Sequence, residues 1–304
     1  MLSILIPIYD FNVSALVEDL HAQSLGCKIN FEILCFDDAS SDFYRKQNKG
    51  ISKLLNVTYK ELELNIGRSK IRNQLAEESL YDNLLFLDCD ASLPSNEFIK
   101  KYIIHIEDYH VVYGGRIYEE FPPLSKQKYF RWYYGKKRES FGVDIRETHT
   151  YKSFMTNNFL IRKKAYLSIR LNESIVGYGH EDTLFGIRLK ENKVLVKHIN
   201  NPVVHIGLED FDEYFEKTLE GLKNLLFISK VVEMHDTVRL YKYLTLVKRY
   251  KFEKLVILVG NVFEKRILRN LKGTRPILLL FDLYKIAHLS ALDSKRLESP
   301  LQQN

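Results

Sequence analysis

From Leu2 to His205 the chain alternates short apolar runs with amphipathic segments. No other feature limits its fold as much, because that alternation is what a sheet with helices on its faces requires. The apolar runs predict strands at Leu2–Ile8, Phe31–Phe36, Val57–Glu63, Leu84–Asp88, Val111–Ile117, Phe154–Ile161 and Val194–His198. Helical periodicity between them predicts helices over Val13–Gln23, Arg68–Ser79 and Asn96–Tyr109. Neither an internal repeat nor a low-complexity segment appears. At 304 residues, 45% hydrophobic and 12% aromatic, the chain is long enough to bury a sizeable core as one large domain or a domain with an appendage.

Charge divides the sequence. Residues 1–230 hold 31 Lys and Arg against 32 Asp and Glu, whereas residues 231–304 hold 14 against 7. The excess is confined to the tail, which predicts an α/β domain over 1–230 and a basic helical region over 231–304. Three cysteines, Cys27, Cys35 and Cys89, form no CxxC pair, so neither a disulfide framework nor a zinc site is expected, and the compartment reads as reducing. Leu2-Ser3-Ile4-Leu5-Ile6-Pro7 follows Met1 directly and reads as a first strand rather than a signal peptide. No apolar run approaches the roughly 18 residues that span a bilayer. A cytoplasmic protein is expected, or one attached peripherally at the inner face of the cell membrane.

In open α/β sheets, ligands sit outside the carboxyl ends of the strands where strand order reverses. Polar residues cluster at those ends here: Pro7-Ile8-Tyr9-Asp10, Asp37-Asp38-Ala39-Ser40-Ser41-Asp42 and Asp88-Cys89-Asp90. At a strand end the chain turns, so the carboxylates of Asp88 and Asp90 can converge on one divalent cation; the bland alternative is an Asp-containing turn. Hard oxygen ligands suit Mn2+ or Mg2+ better than zinc. Arg72 lies four residues after Arg68, so both can share a helix face toward a nucleotide or toward solvent.

In this order the motifs resemble those of the family 2 inverting glycosyltransferases of GT-A fold. Ile6-Pro7-Ile8-Tyr9 looks like their opening strand, Asp37 to Asp42 like their DDxSxD turn, and Asn65-x-Gly67-x4-Arg72-Asn73 like their nucleotide-side helix start. Asp88-x-Asp90 follows, then Asn157-Asn158, then Gly177-Tyr178-Gly179-His180-Glu181-Asp182, similar to the acceptor-side Gly-x-Gly-x-Glu-Asp motif. Four positions depart from the pattern: Asp10 where Asn is frequent, Ala39 and His180 where Gly is frequent, and Thr183 where some relatives carry a third acid.

The resemblance implies a GT-A, Rossmann-like fold, a mixed central sheet flanked by helices, with a C-terminal helical extension. It also implies an inverting transfer from a nucleotide-sugar donor, a UDP-sugar, to a glycan hydroxyl. Donor-side roles fall to Pro7, Tyr9, Asp38, Arg72 and Asp88: Asp38 accepts from the nucleobase, Tyr9 packs on it, Arg72 meets base or phosphate, and Asp88 meets ribose or metal-bound water. Asp90 coordinates the metal, with Asp88 beside it and His205 as a further ligand; an ordinary strand-end histidine is the alternative for His205. Asp182 is the expected base for the acceptor hydroxyl. Glu181, Gly179 and His180 are expected to bind acceptor, although two acids also suit the start of a helix over Thr183–Glu191. Gly177 and Gly179 are read as a mobile loop.

Trp132 lies in the aromatic cluster Tyr129 to Tyr134, which either stacks on acceptor sugars or fills a core. In the tail, Lys248, Arg249, Lys251, Lys254, Lys265, Arg266, Arg269, Lys272 and Arg275 mix with apolar runs at Leu255–Val259 and Ile277–Phe281. This suits amphipathic helices lying on a membrane, at about 1 kcal/mol per cation, or a capping region for homo-oligomers. Nucleic acid is not expected, since aromatics do not interleave with the charges. The acceptor is expected to be an oligosaccharide or lipid-linked glycan in cell-surface polysaccharide synthesis. A non-catalytic nucleotide- or glycan-binding module on the same fold is the alternative. A nucleotidyltransferase would favour a Gly-rich phosphate loop after the first strand, which the sequence lacks.

Overall fold

The structure, a computed structural model, describes residues 1–234 and 238–298. The stretches 235–237 and 299–304 of the expected basic tail lie outside the described residues. Ten strands and twelve α-helices follow one another among the described residues. The first unit takes Met1–Glu120, Gly135–Val176 and Glu181–Gly207; the second takes Phe121–Tyr134, Gly177–His180 and Leu208–Asn304.

The first unit contains strands β1 (Leu2–Ile8), β2 (Phe31–Asp37), β3 (Val57–Glu61), β4 (Asn83–Leu87), β5 (Ala91–Ser92), β6 (Val111–Tyr113), β7 (Arg116–Ile117), β8 (Asn158–Arg162), β9 (Val196–His198) and β10 (Val203–His205). Its helices are α1 (Ser14–Gly26), α2 (Asp42–Asn48), α3 (Arg68–Glu78), α4 (Phe98–Ile103), α6 (Val143–Thr148), α7 (Lys163–Ile169) and α8 (Glu181–Glu191), and α5 (Tyr129–Arg138) runs from the second unit into it.

Seven strands form the central sheet in the order β3-β2-β1-β4-β8-β6-β9. β3, β2, β1 and β4 run parallel, while β8 is antiparallel to both β4 and β6. The sheet is mixed, and its strand order reverses between β1 and β4. All seven residues of β1 are buried, as a central strand covered on both faces requires. Its side chains alternate: Ile4, Ile6 and Ile8 pack with Leu16, Leu20 and Ile99 of α1 and α4. Leu5 joins Ile71, Leu75, Phe159 and Phe185 on the face covered by α3, α7 and α8. A second, three-stranded sheet, β5-β10-β7, pairs His205 with Ala91 and Val203 with Arg116.

Four expected strands are shorter than their apolar runs, among them Val194–His198, which is strand only over Val196–His198. The run Val111–Ile117 is broken at Gly114-Gly115 into β6 and β7, which join different sheets. A Cβ on Gly114 would lie 2.4 Å from both Asn201 O and Tyr102 Oη, and Gly115 takes φ +99° beside the Arg146 guanidinium. The run Phe154–Ile161 becomes strand only from Asn158, because its partner β4 ends at Leu87, opposite Asn158. The run Val57–Glu63 stops as a strand at Glu61, opposite the last residue of β2.

The second unit is helical: α9 (Phe211–Ile228), α10 (Arg239–Arg249), α11 (Glu253–Leu271) and α12 (Leu278–Glu298). Phe130, Phe211, Tyr214, Ile267, Leu271, Phe281 and Tyr284 form its core. Phe130 therefore fills this core rather than a sugar site, with Tyr134 packed against it, whereas Trp132 contacts Tyr129 at a ring separation of 5.6 Å. Arg131 is buried over the Tyr214 ring and donates to Glu209.

Candidate active site

The polar strand ends meet where the sheet's order reverses. Pro7 is buried within β1, and Tyr9 beyond it is 56% exposed. The Tyr9 backbone lies beside the Cys89 thiol of the Asp88-Cys89-Asp90 turn. Asp10 accepts from the Ser41 amide at 2.8 Å, and its own amide donates to Ser40 Oγ at 2.9 Å. Asp37 accepts from Tyr59 Oη and the Ser40 amide, both at 2.7 Å. Asp38 accepts from the amides of Ile66 at 2.7 Å and Gly67 at 3.0 Å. Those two bonds brace the turn into α3, where Gly67 has φ +87°. Burial raises the Asp38 pKa, and the two amides oppose the rise.

α3 carries Arg72 inward and Arg68, at its first position, partly exposed. Arg72, 3% exposed, pairs closely with Asp88 and donates to Arg68 O at 3.0 Å. Asn73 points away from that pair, holding the backbone of Leu171 and the hydroxyl of Tyr166. Arg68 donates through Nε to Glu181 at 2.9 Å. α3 is thus bonded to the first residue of α8.

The register of β10 against β5 places His205 beside Asp90, with Nδ1 3.3 Å from Oδ2. The Ile206 amide donates to Asp90 O at 2.9 Å. A Cβ on Gly207 would stand 2.5 Å from Asp90 Cβ, so only glycine leaves room for that aspartate. The Tyr118 ring packs edge-on against His205 at 5.4 Å, its hydroxyl pairs closely with Glu139, and Arg116 bonds Glu139 at 2.9 Å. A Cβ on Gly135 would fall 2.1 Å from that tyrosine ring. Arg116, Tyr118, Glu139, Gly135 and Gly207 carry no short motif, so the sequence reading missed them. The pairing of β10 with β5 and β7 brings Arg116 and Gly207 to the site, and Glu139 and Gly135, at the end of α5, reach it through Arg116 and Tyr118.

Electrostatics separates the three acids. Burial pushes up on Asp90, but His205, Arg116 and Arg68 outweigh it and hold the carboxyl at about 2. Burial likewise opposes ionisation of Glu181, and Arg68 with Arg72 reverses the effect and lowers its pKa. Asp182 is pushed up to about 6 by burial and by the Glu181 charge, against the Thr183 amide, Arg116 and Arg68. Arg68 and Arg116 thus act on both Asp90 and Asp182. Two carboxylates stay ionised, and a third is poised to exchange a proton near neutrality.

Among the described residues, no group of three or more His, Cys, Asp or Glu is placed to hold a metal. The donor set still fits a hard divalent cation. Asp90 Oδ2 and His205 Nδ1 lie at about the separation of neighbouring ligands with bonds of roughly 2.1 Å. Mg2+-type sites typically add water and substrate phosphate to one or two protein ligands. His205 Nε2 and Glu181 Oε2 are buried without a hydrogen-bond partner, which leaves polar capacity for a guest.

Gly179 and His180 belong to the second unit. The loop Gly177–His180 is anchored there on α9: the Tyr178 amide donates to Glu220 at 3.0 Å, and Asn224 bonds the carbonyls of Tyr178 and Gly179. Gly177 and Gly179 take φ +76° and +95°, and a Cβ on Gly177 would meet Glu220 at 2.1 Å. These glycines allow close approach to a helix, where the sequence suggested a mobile loop.

The family model described as glycosyl transferase family 2 matches residues 3–169, more than half of the chain. The chain belongs to glycosyl transferase family 2. No curated protein matches it. Among solved structures, S. aureus TarS 1–349 in complex with UDP-GlcNAc aligns at TM-score 0.53 and 15% identity, covering 96% of this chain and 92% of that one. S. aureus TarS 1–349 in complex with UDP aligns at TM-score 0.48 and 16% identity, covering 98% and 92%. At such identity the first likeness speaks to fold alone. With the family match, it gives the mixed sheet of this glycosyltransferase as GT-A.

Proposed function

We propose that the chain is an inverting glycosyltransferase that moves a sugar from a UDP-sugar to a glycan hydroxyl by metal-assisted direct displacement. The observation that carries this reading is the family 2 match together with the meeting at the strand ends of the Arg72–Asp88, His205–Asp90 and Arg68–Glu181 pairs, next to an Asp182 carboxyl pushed up to about 6 by burial and Glu181. A carboxyl of that proton affinity is what general-base catalysis at neutral pH needs. The TarS complex with UDP-GlcNAc supports a uridine donor as a family likeness.

In this reading Tyr9 and Asp38 hold the base, and Asp88, already oriented by Arg72, receives the ribose. Asp90 and His205 would hold Mn2+ or Mg2+, with Asp88 near the ion through water; bound there, the ion neutralises the charge that develops on the departing diphosphate. Arg68 and Arg72 offer further positive charge on the same side. Asp182 takes the proton of the acceptor hydroxyl as its oxygen attacks the anomeric carbon. The bond from that carbon to the diphosphate breaks on the opposite face, so configuration inverts. Glu181, Gly179 and His180 bind the acceptor, an oligosaccharide or lipid-linked glycan in cell-surface polysaccharide synthesis. In this reading the catalytic acids and arginines belong to the first unit, and the basic excess of residues 231–304 belongs to the second.

The test is nucleotide release from a panel of UDP-sugars with and without Mn2+. Metal-dependent release from one donor is expected. Silence across the panel, with no UDP binding by calorimetry, would remove the reading.

A further inference from the structure

α11 has one apolar face more than its own unit uses. Its inner face follows Gly260, Glu264, Ile267 and Leu271, the spacing of one helix side. Gly260 lies so close to Ala287 of α12 that a Cβ would stand 2.3 Å from it, Glu264 accepts from Tyr284 Oη at 3.1 Å, and Ile267 and Leu271 enter the core. On the opposite side Leu255, Leu258 and Val262 are 55%, 59% and 64% exposed. Continuing along that side, the next two turns carry Lys265, Arg266 and Arg269, all exposed. Exposed Tyr250 and Phe252 stand just before the helix, with Lys251 and Lys254 among them. The acids of α11 are Glu253, in its first turn, and Glu264, which is exposed but lies on the α12 side, where it accepts from Tyr284. Exposed Tyr243 and Leu246 on α10, with exposed Arg239, Lys242 and Arg249, repeat the composition.

We propose that the solvent side of α11 is a docking surface for an anionic lipid leaflet. Leu255, Leu258 and Val262 enter the boundary between headgroups and acyl chains, and Lys265, Arg266 and Arg269 meet lipid phosphates. Charge selects this occupant. Two copies paired through α11 would set cations against cations in parallel, and Lys265, Arg266 and Arg269 against Lys251 and Lys254 when antiparallel, which disfavours self-association. A leaflet supplies apolar depth and negative charge together. Among the described residues no helix is long and apolar enough to cross a membrane, so attachment through this face is reversible and weakens with salt.

The proposal is independent of the catalytic reading, because vesicle binding needs no donor. The test is flotation of the full chain with phosphatidylcholine vesicles and with an equal mixture of phosphatidylcholine and phosphatidylglycerol. The wild type is expected to float with the anionic vesicles alone. Leu258→Asp/Val262→Asp and, separately, Lys265→Glu/Arg266→Glu should each lower the bound fraction by about tenfold or more. Both replace exposed side chains, and thermal unfolding by circular dichroism should match the wild type. Wild-type protein left unbound by anionic vesicles, or variants that float like the wild type, would overturn the proposal. So would a dimer in sedimentation that Leu258→Asp/Val262→Asp splits, which would make the face a self-interface.

Discussion

Asp182 has the most readable chemistry of any single residue in the chain. With its carboxyl pushed up to about 6, transfer should rise as pH climbs through that value, because the base must first be ionised. Asp182→Asn should lower turnover by about 10²–10⁴-fold across the range, and measured pH–rate profiles check both statements. The same shift has a stability consequence. A raised folded-state pKa favours the folded chain while the group is protonated, and that advantage disappears as pH rises through about 6. Asp182→Asn should therefore be more stable than the wild type well above pH 6, on the order of 1–3 kcal/mol, and match it in acid. Chemical denaturation at both pH values reads the difference. Backbone conformation gives a reason for Asn or Gly at three of the departing positions and none for the residues present: Asp10, Ala39 and His180 take φ +46°, +61° and +70°. Those are left-handed conformations that Asn and Gly adopt more easily. Ala39→Gly should relieve strain of roughly 1 kcal/mol, less the entropy glycine loses, so denaturant midpoints should change little or rise. The motif residues were legible because each sits at a strand end or helix start, where sequence spacing fixes neighbours. Arg116 and Glu139 were not, since their meeting depends on long-range pairing.

At the scale of elements, β4 links the core to the site. Phe86 stacks on Phe159 at 4.9 Å and on Tyr166 at 4.8 Å, fully buried, directly before the Asp88-Cys89-Asp90 turn. Phe86→Ala should cost about 3–5 kcal/mol of stability in equilibrium unfolding. Gly207→Ala belongs to β10 and its following turn: the added methyl group must displace Asp90. Metal-dependent nucleotide release should fall about tenfold or more while the helical content of the chain is kept. Strands were legible where apolar runs lay in the middle of the sheet, as in β1 and β2. They were misjudged where a run outlasted its partner, as at Phe154–Asn157, or where a glycine pair diverted the chain, as at Gly114-Gly115. Hydropathy records burial, but a strand also needs a neighbour in register.

The whole molecule divides its tasks by charge and composition. A nearly balanced α/β unit carries the acids and arginines of the site, and the basic excess falls in the helical unit with the exposed stripe of α11. The charge break near residue 230 falls inside the helical unit, whose long segment begins at Leu208. It did not show that α9 and the segment Phe121–Tyr134 belong with the helices, because they join through aromatic contacts such as Phe130 with Phe211 and Phe281. In the proposed reading, donor binding and proton abstraction reside in different carboxylates of one site. It is tested by calorimetric UDP binding in the presence of Mn2+, paired with turnover of the accepted UDP-sugar, for the wild type, Asp90→Ala and Asp182→Asn. The account predicts that Asp90→Ala loses metal-dependent UDP binding and turnover together, while Asp182→Asn binds UDP like the wild type and does not turn over. Wild-type turnover in Asp182→Asn, or UDP binding in Asp90→Ala with the same metal dependence as the wild type, would contradict it.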